Sequence, residues 1–185
     1  HPLYDLSGNI LTEDFPEDHP HHRGIFWAWH FLEVDGKRMG DGWTTRDRSW
    51  DVRQLKVKRN KDGSSTLHLD VQWKSIHWHK VKKAIVNETT MIRVHPREGN
   101  RRKLDFDIRL VATQPKTRIG GAENEKGYGG FSTRIKLPED IQFTGQDGKV
   151  TPQRTPVIAG TWLDMSAKFD GKTPSGVTVL CHPKS

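Results

Sequence analysis

Apolar and polar residues alternate with period two along much of this chain. In STLHLDVQW, Leu67, Leu69, Val71 and Trp73 share one face. In KLDFDIRLVA, Leu104, Phe106, Ile108 and Leu110 oppose Asp105, Asp107 and Arg109. GVTVLC repeats the alternation at Val177, Val179 and Cys181, and TMIRV and RIKL are shorter runs of the same kind. Successive side chains of a strand leave opposite faces, so such runs predict half-buried strands with one packed face and one wet face. Turn pairs fall between the runs at Asp35-Gly36, Asp62-Gly63, Gly99-Asn100, Asp147-Gly148 and Asp170-Gly171. No segment carries a 3.6-residue apolar stripe over three turns. The pattern predicts an all-β chain built as a large antiparallel β-sandwich. With no internal repeat, linker or low-complexity stretch, residues 1–185 read as one domain, or as part of one.

A chain of 185 residues is long enough to enclose a core. Its 30 Lys and Arg against 23 Asp and Glu give a net charge of +7. The basic residues are dispersed, from Lys56, Lys58, Arg59 and Lys61 to Lys80, Lys82 and Lys83 and on to Arg97, Arg101, Arg102 and Lys103, with acidic residues between them. A basic balance without a basic block suits a solvated surface, and no nucleic-acid partner is expected. The single cysteine, Cys181, excludes a disulfide within the chain. No apolar run approaches membrane-spanning length. The chain opens on His1-Pro2-Leu3 without an initiator Met or a signal peptide, and stops at His182-Pro183-Lys184-Ser185 just after an apolar run. The expectation is a partial chain that continues beyond both ends.

Candidate chemistry concentrates in EDHPHHRGIFWAW, residues 17–29. Asp18, His19, His21 and His22 crowd five positions around Pro20, which makes a helix there unfavourable. In an extended chain His19 and His21 point one way, and Asp18 and His22 the other. Two histidines at i, i+2 can both bind zinc, with further ligands from elsewhere. The same residues can instead form a polar corner, or serve as proton-transfer groups. Arg23 brings a planar fork of donors suited to carboxylates or paired hydroxyls. Trp27 offers a ring face that can pack in the core or stack on a sugar.

Three further groups stand out. Carried past Trp73, the alternation of STLHLDVQW presents Ser75, His77 and His79 on the same face, unless the strand bends first. GGAENEKGYGGFSTR brackets Glu123, Glu125, Lys126 and Tyr128 with glycines and ends at Arg134. It lacks the order of a phosphate loop, and no helix follows it. Its two glutamates share a face if extended; neighbouring carboxylates split acid and base roles, or join His19 and His21 around a divalent cation. His182 follows the last strand-like run at a sheet rim.

PLYDLSGNILTEDFPEDHPHHRGIFWAW, ENEKGYGGFSTR and GVTVLCHP, in that order, resemble the PmoA-like family of uncharacterised bacterial proteins, over nearly the whole chain. That family's label mentions methane oxygenase, a membrane enzyme, whereas this chain has no run of spanning length. The resemblance implies an exported, periplasmic or extracellular protein of polysaccharide-degrading bacteria, longer at both ends. It further implies a galactose-mutarotase-like supersandwich that binds a carbohydrate on a concave sheet, where a histidine and a carboxylate act as acid and base. On that expectation His21, His22 and Glu125 are catalytic, while Asp18, Arg23, Trp27, His77, His79, Lys126, Arg134 and His182 contact the sugar. No cofactor is required, although a divalent metal through His19 and His21 is an alternative. Epimerase, lyase and hydrolase chemistry all fit. A non-catalytic carbohydrate-binding domain and a metal-dependent enzyme are the competing readings.

Overall fold

The computed structural model describes residues 2–182. His1 and Pro183, Lys184 and Ser185, which enter the reading of the chain ends, lie outside the described residues. Among the described residues thirteen strands follow one another: β1 Ile25–Trp29, β2 Phe31–Val34, β3 Lys37–Arg38, β4 Arg48–Arg59, β5 Ser65–Ser75, β6 Val86–Val94, β7 Leu104–Ala112, β8 Thr117–Gly120, β9 Gly129–Thr133, β10 Gln142–Gly145, β11 Gly148–Lys149, β12 Trp162–Ala167 and β13 Ser175–Leu180. A one-turn 3-10 helix, His79–Val81, is the helical element among the described residues. The fold is all-β, as the alternation requires, and is built from antiparallel sheets. The chain divides into two compact units, residues 1–28 with 122–185, and residues 29–121.

In the second unit, β4-β5-β6-β7 form an up-and-down sheet, and β3-β2-β8 a smaller one. The turn pairs Asp35-Gly36, Asp62-Gly63 and Gly99-Asn100 sit at the β2–β3, β4–β5 and β6–β7 connections. β5 keeps Leu67, Leu69, Val71 and Trp73 opposite Ile92, Thr90, Glu88 and Val86 of β6. Thr90 and Glu88 in turn face Ile108 and Leu110 of β7. β4 interrupts the period. Register shifts between Val52 and Gln54, so Trp50, Val52, Leu55 and Val57 all lie opposite β5's apolar set. A bulge inserts one residue and restores facing after it. The buried centre includes Leu32, Trp73, Ile85 and Val86. Burying a side chain of this size contributes about 1.5–3 kcal/mol.

Glu88 and Thr90 are among the buried polar residues that interrupt that apolar centre. Glu88 is 4 % exposed, and its carboxylate accepts hydrogen bonds from Trp73 Nε1 at 2.7 Å and Thr90 Oγ1 at 2.7 Å. A buried carboxylate persists only with such donors, because dehydration otherwise costs several kcal/mol.

In the first unit, β11-β10-β12-β13 form a four-stranded sheet, and β1 pairs with β9. Met165 and Ala167 of β12 are buried, as are Leu11, Thr12 and Ile135. RIKL does not form the expected strand. Ile135 makes a single bridge to Thr12, and Lys136 N donates to Leu11 O at 2.9 Å. Pro138 follows at once and has no N–H with which to extend a ladder.

Candidate functional site: the histidine loop and Arg134

The 14–23 segment is a closed loop, not an extended run. Its ends meet at an antiparallel bridge between Asp14 and Arg23, with Phe15 N donating to His22 O at 3.1 Å. Between them lie two successive turns. His19 N donates to Pro16 O at 3.0 Å, and His22 N donates to His19 O at 2.9 Å. Pro20 takes the second position of the latter turn, which its locked φ favours. The turns undo the expected two-sided arrangement. All three imidazoles gather: His19 stacks on His22 with centroids 4.7 Å apart and planes 13° apart, while His21 meets His22 edge-on at 4.7 Å. His22 stacks in turn on Phe26 of β1, at 5.4 Å.

Arg134 ties this loop to the strand that follows the glycine-rich segment. Its backbone donates to Gly24 O and accepts from Glu13 N, so it is threaded between both ends of the loop. Its Nε donates to Glu13 at 2.8 Å, and one terminal nitrogen donates to both oxygens of Asp18 at 2.9 Å. Asp18 also accepts from His19 Nδ1 at 2.7 Å. The result is a continuous polar chain from Glu13 through Arg134 and Asp18 to His19, touching the ring stack.

The electrostatics follow from these contacts. The His19 hydrogen bond first, then the Arg134 contact, hold Asp18 below the ordinary carboxylate range. Burial pulls the Arg134 guanidinium down, but its bonds to Glu13 and Asp18 outweigh that and raise it. His22 moves furthest, from 6.5 to about 4, because of burial first and then the nearby His21, His19 and Arg134 charges. At neutral pH its ring is therefore uncharged.

The expected site residues divide as follows. Asp18, His19, His21, His22 and Arg134 converge. Arg23 lies at the loop's end, where its guanidinium binds Asp14 at 2.6 Å and covers the Phe15 ring at 4.6 Å. Trp27 is half-buried and lies parallel to Phe131 of β9, with centroids 6.4 Å apart and planes 4° apart. Glu125 and Lys126 sit in a turn-rich loop held by Lys126 N donating to Asn124 Oδ1 and Ala122 N donating to Tyr128 O. The Lys126 ammonium covers the Tyr128 ring at 5.7 Å. Glu125 is exposed and makes no side-chain hydrogen bond or ion pair among the described residues. His182 is exposed just beyond β13.

His77 and His79 belong to the second unit. The strand does not carry them onto Trp73's face: β5 ends at Ser75, whose hydroxyl accepts from His77 N at 3.0 Å, and the chain turns. His77 pairs with Asp47 at 3.2 Å, and His79 meets Trp78 edge-on. Among the described residues no three His, Cys, Asp or Glu side chains are grouped to hold a metal ion. No helix among them is long and apolar enough to cross a membrane.

The sequence reading missed Glu13, Asp14, Phe26 and Phe131. The signal for Asp14 was the pair of prolines, Pro16 and Pro20, which favour turns and so bring residue 14 back to residue 23. Beside Glu13 and Asp14 the surface dips into a depression of about 320 Å³, lined also by Ile10, Thr12, Pro16 and Lys136.

Compared with known proteins, residues 1–185 match the model of DUF6807, described as a family of unknown function. No curated protein and no solved structure matches the chain.

Proposed function

The chain belongs to DUF6807, and on that premise we propose that it binds a carbohydrate at the histidine loop and performs acid–base chemistry on it. The observation that carries the reading is the connected set Arg134–Asp18–His19–His22. His22 stays uncharged at neutral pH, so it is a weak base whose conjugate acid, once formed, returns its proton readily. A second imidazole, His19, has Nδ1 committed to Asp18, which fixes its tautomer and leaves Nε2 as the atom for exchange with a ligand. Two imidazoles in unlike surroundings divide acid and base roles, as pairs of titratable groups in unlike surroundings do elsewhere.

A sugar is the ligand in this reading because the loop offers imidazole, carboxylate and guanidinium partners to several hydroxyls at once; Trp27, the residue after Phe26, leaves β1 on the opposite face with Phe131 and takes no part. In this reading the second catalytic group is His19, with no part for Glu125. An exported protein, as the PmoA-like resemblance implies, would meet such a ligand outside the cytoplasm.

The test is a saturation-transfer NMR screen of neutral and acidic mono- and disaccharides, followed by turnover assays on any that bind. We expect saturable binding, and turnover that His22→Gln and His19→Gln abolish while near-UV circular dichroism is retained. Binding with no turnover of any ligand would leave a sugar-binding module. The absence of binding to every sugar would reject the reading outright.

A further inference from the structure

The second unit holds a cation whose donors are unmet. Arg48 opens β4 opposite Ser75 and is only 8 % exposed. Its Nε and both terminal nitrogens are buried, and none donates a hydrogen bond to any described residue. A guanidinium carries five N–H donors, and a buried charge without hydrogen bonds is among the least favourable groups a protein can hold. Two ring faces offset part of this: the guanidinium carbon lies 5.2 Å from the Trp50 centroid and 5.0 Å from that of Trp73. Burial still drags the guanidinium down to about 10, with Asp41 pulling the other way.

Asp41 does not meet those donors. One of its oxygens accepts from the backbone of Trp43 at 2.9 Å and Thr44 at 3.3 Å, and the other takes His30 Nδ1 at 3.1 Å. The nearby Glu88 is committed to Trp73 and Thr90. The local backbone is shaped around the cation. A Cβ on Gly42 would collide with the Arg48 terminal nitrogen and lie 2.7 Å from Trp29 O, and one on Gly40 would lie 3.0 Å from the Arg48 side chain.

We propose that Arg48, flanked by Trp50 and Trp73, is the receptor for a small carboxylate. The planar donor fork matches a carboxylate in two parallel hydrogen bonds, and flat neighbours suit a flat anion. The site stands apart from the carbohydrate reading and does not depend on it.

The probe is formate, whose single C–H proton reports contact with indole protons in saturation-transfer NMR. Sodium chloride balances ionic strength throughout. The wild-type chain gives a saturable formate signal with a millimolar Kd. Arg48→Lys keeps the charge but loses the fork, and weakens formate at least about tenfold. Gly42→Ala, which displaces the terminal nitrogen, weakens it as well and serves where Arg48 variants fail to fold. No saturable formate signal in the wild-type chain overturns the proposal and assigns the Arg48 donors to buried water. So does equal formate binding by wild type and Gly42→Ala.

Discussion

Replacing His22 with glutamine isolates the most perturbed group in the histidine loop. In the folded chain His22 titrates at about 4 and in the unfolded chain near 6.5. Above 6.5 neither state binds the proton, so the difference has no effect. As the pH falls from 6.5 towards 4, the unfolded chain takes up a proton that the folded chain refuses, and the fold loses stability. At about 1.4 kcal/mol per unit of pKa difference, the full loss is at most about 3.4 kcal/mol. His22 is only half-buried, so solvent screening reduces that to about 1–2 kcal/mol.

The assay is urea unfolding of wild type and His22→Gln at half-unit steps from pH 7.5 to 4. Every other titratable group is common to the two proteins, so the difference between the two curves reports His22. The wild type must lose about 1–2 kcal/mol more than the variant across this window. Parallel curves, or an NMR titration of His22 centred near 6.5, would show that burial and the neighbouring charges do not lower this ring's pKa, and would refute the reasoning.

Other residues give sharper local tests. Arg134→Met removes the donors that join Glu13 to Asp18, so amide exchange across residues 14–23 must quicken while β12 and β13 keep their protection; an unchanged loop would show that the ion pairs do not order it. Trp73→Phe strips one donor from buried Glu88 and must cost about 2–4 kcal/mol in chemical unfolding, well above the cost of the lost ring volume alone. A Trp73→Phe, Glu88→Gln double-mutant cycle should show coupling between the two; additivity would contradict it. Ser64 first, and then Arg93, hold the Asp62 carboxyl down at about 2. Its contribution is therefore present above 3.8 and is lost as the pH falls through about 2. Asp62→Asn must flatten acid unfolding in that window, and an unaltered acid limb would refute the link.

The strands were legible because their periodicity is a direct image of one packed face. β5 and β7 follow from Leu67–Trp73 and Leu104–Leu110, and all five Gly-containing turn pairs fall at strand connections. β4 was not legible as an apolar strand, because the bulge beside Arg53 breaks period two, and Val52, Leu55 and Val57 stay exposed although they lie opposite β5's apolar set. RIKL misled because two alternating apolar residues do not make a ladder when a proline follows.

The site was legible in part for the same kind of reason. Asp18, the histidines and Arg134 were found by chemistry. Their arrangement was not, since the extended-chain rule fails where Pro16 and Pro20 install turns. Glu13 reaches the site only through its pairing with Arg134, 121 residues further along the chain. Arg48 gave no signal at all, since its distinction lies in the acceptors it lacks.

The proposed function stands or falls on whether the loop of His19, His21 and His22 with Arg134 takes a sugar. The most direct measurement is a backbone and imidazole NMR titration of the labelled chain with any saccharide that gives saturation transfer. Saturable shifts centred on Asp18, His19, His21, His22 and Arg134 are expected. Shifts located elsewhere, with those five unmoved at saturation, would contradict the proposed function.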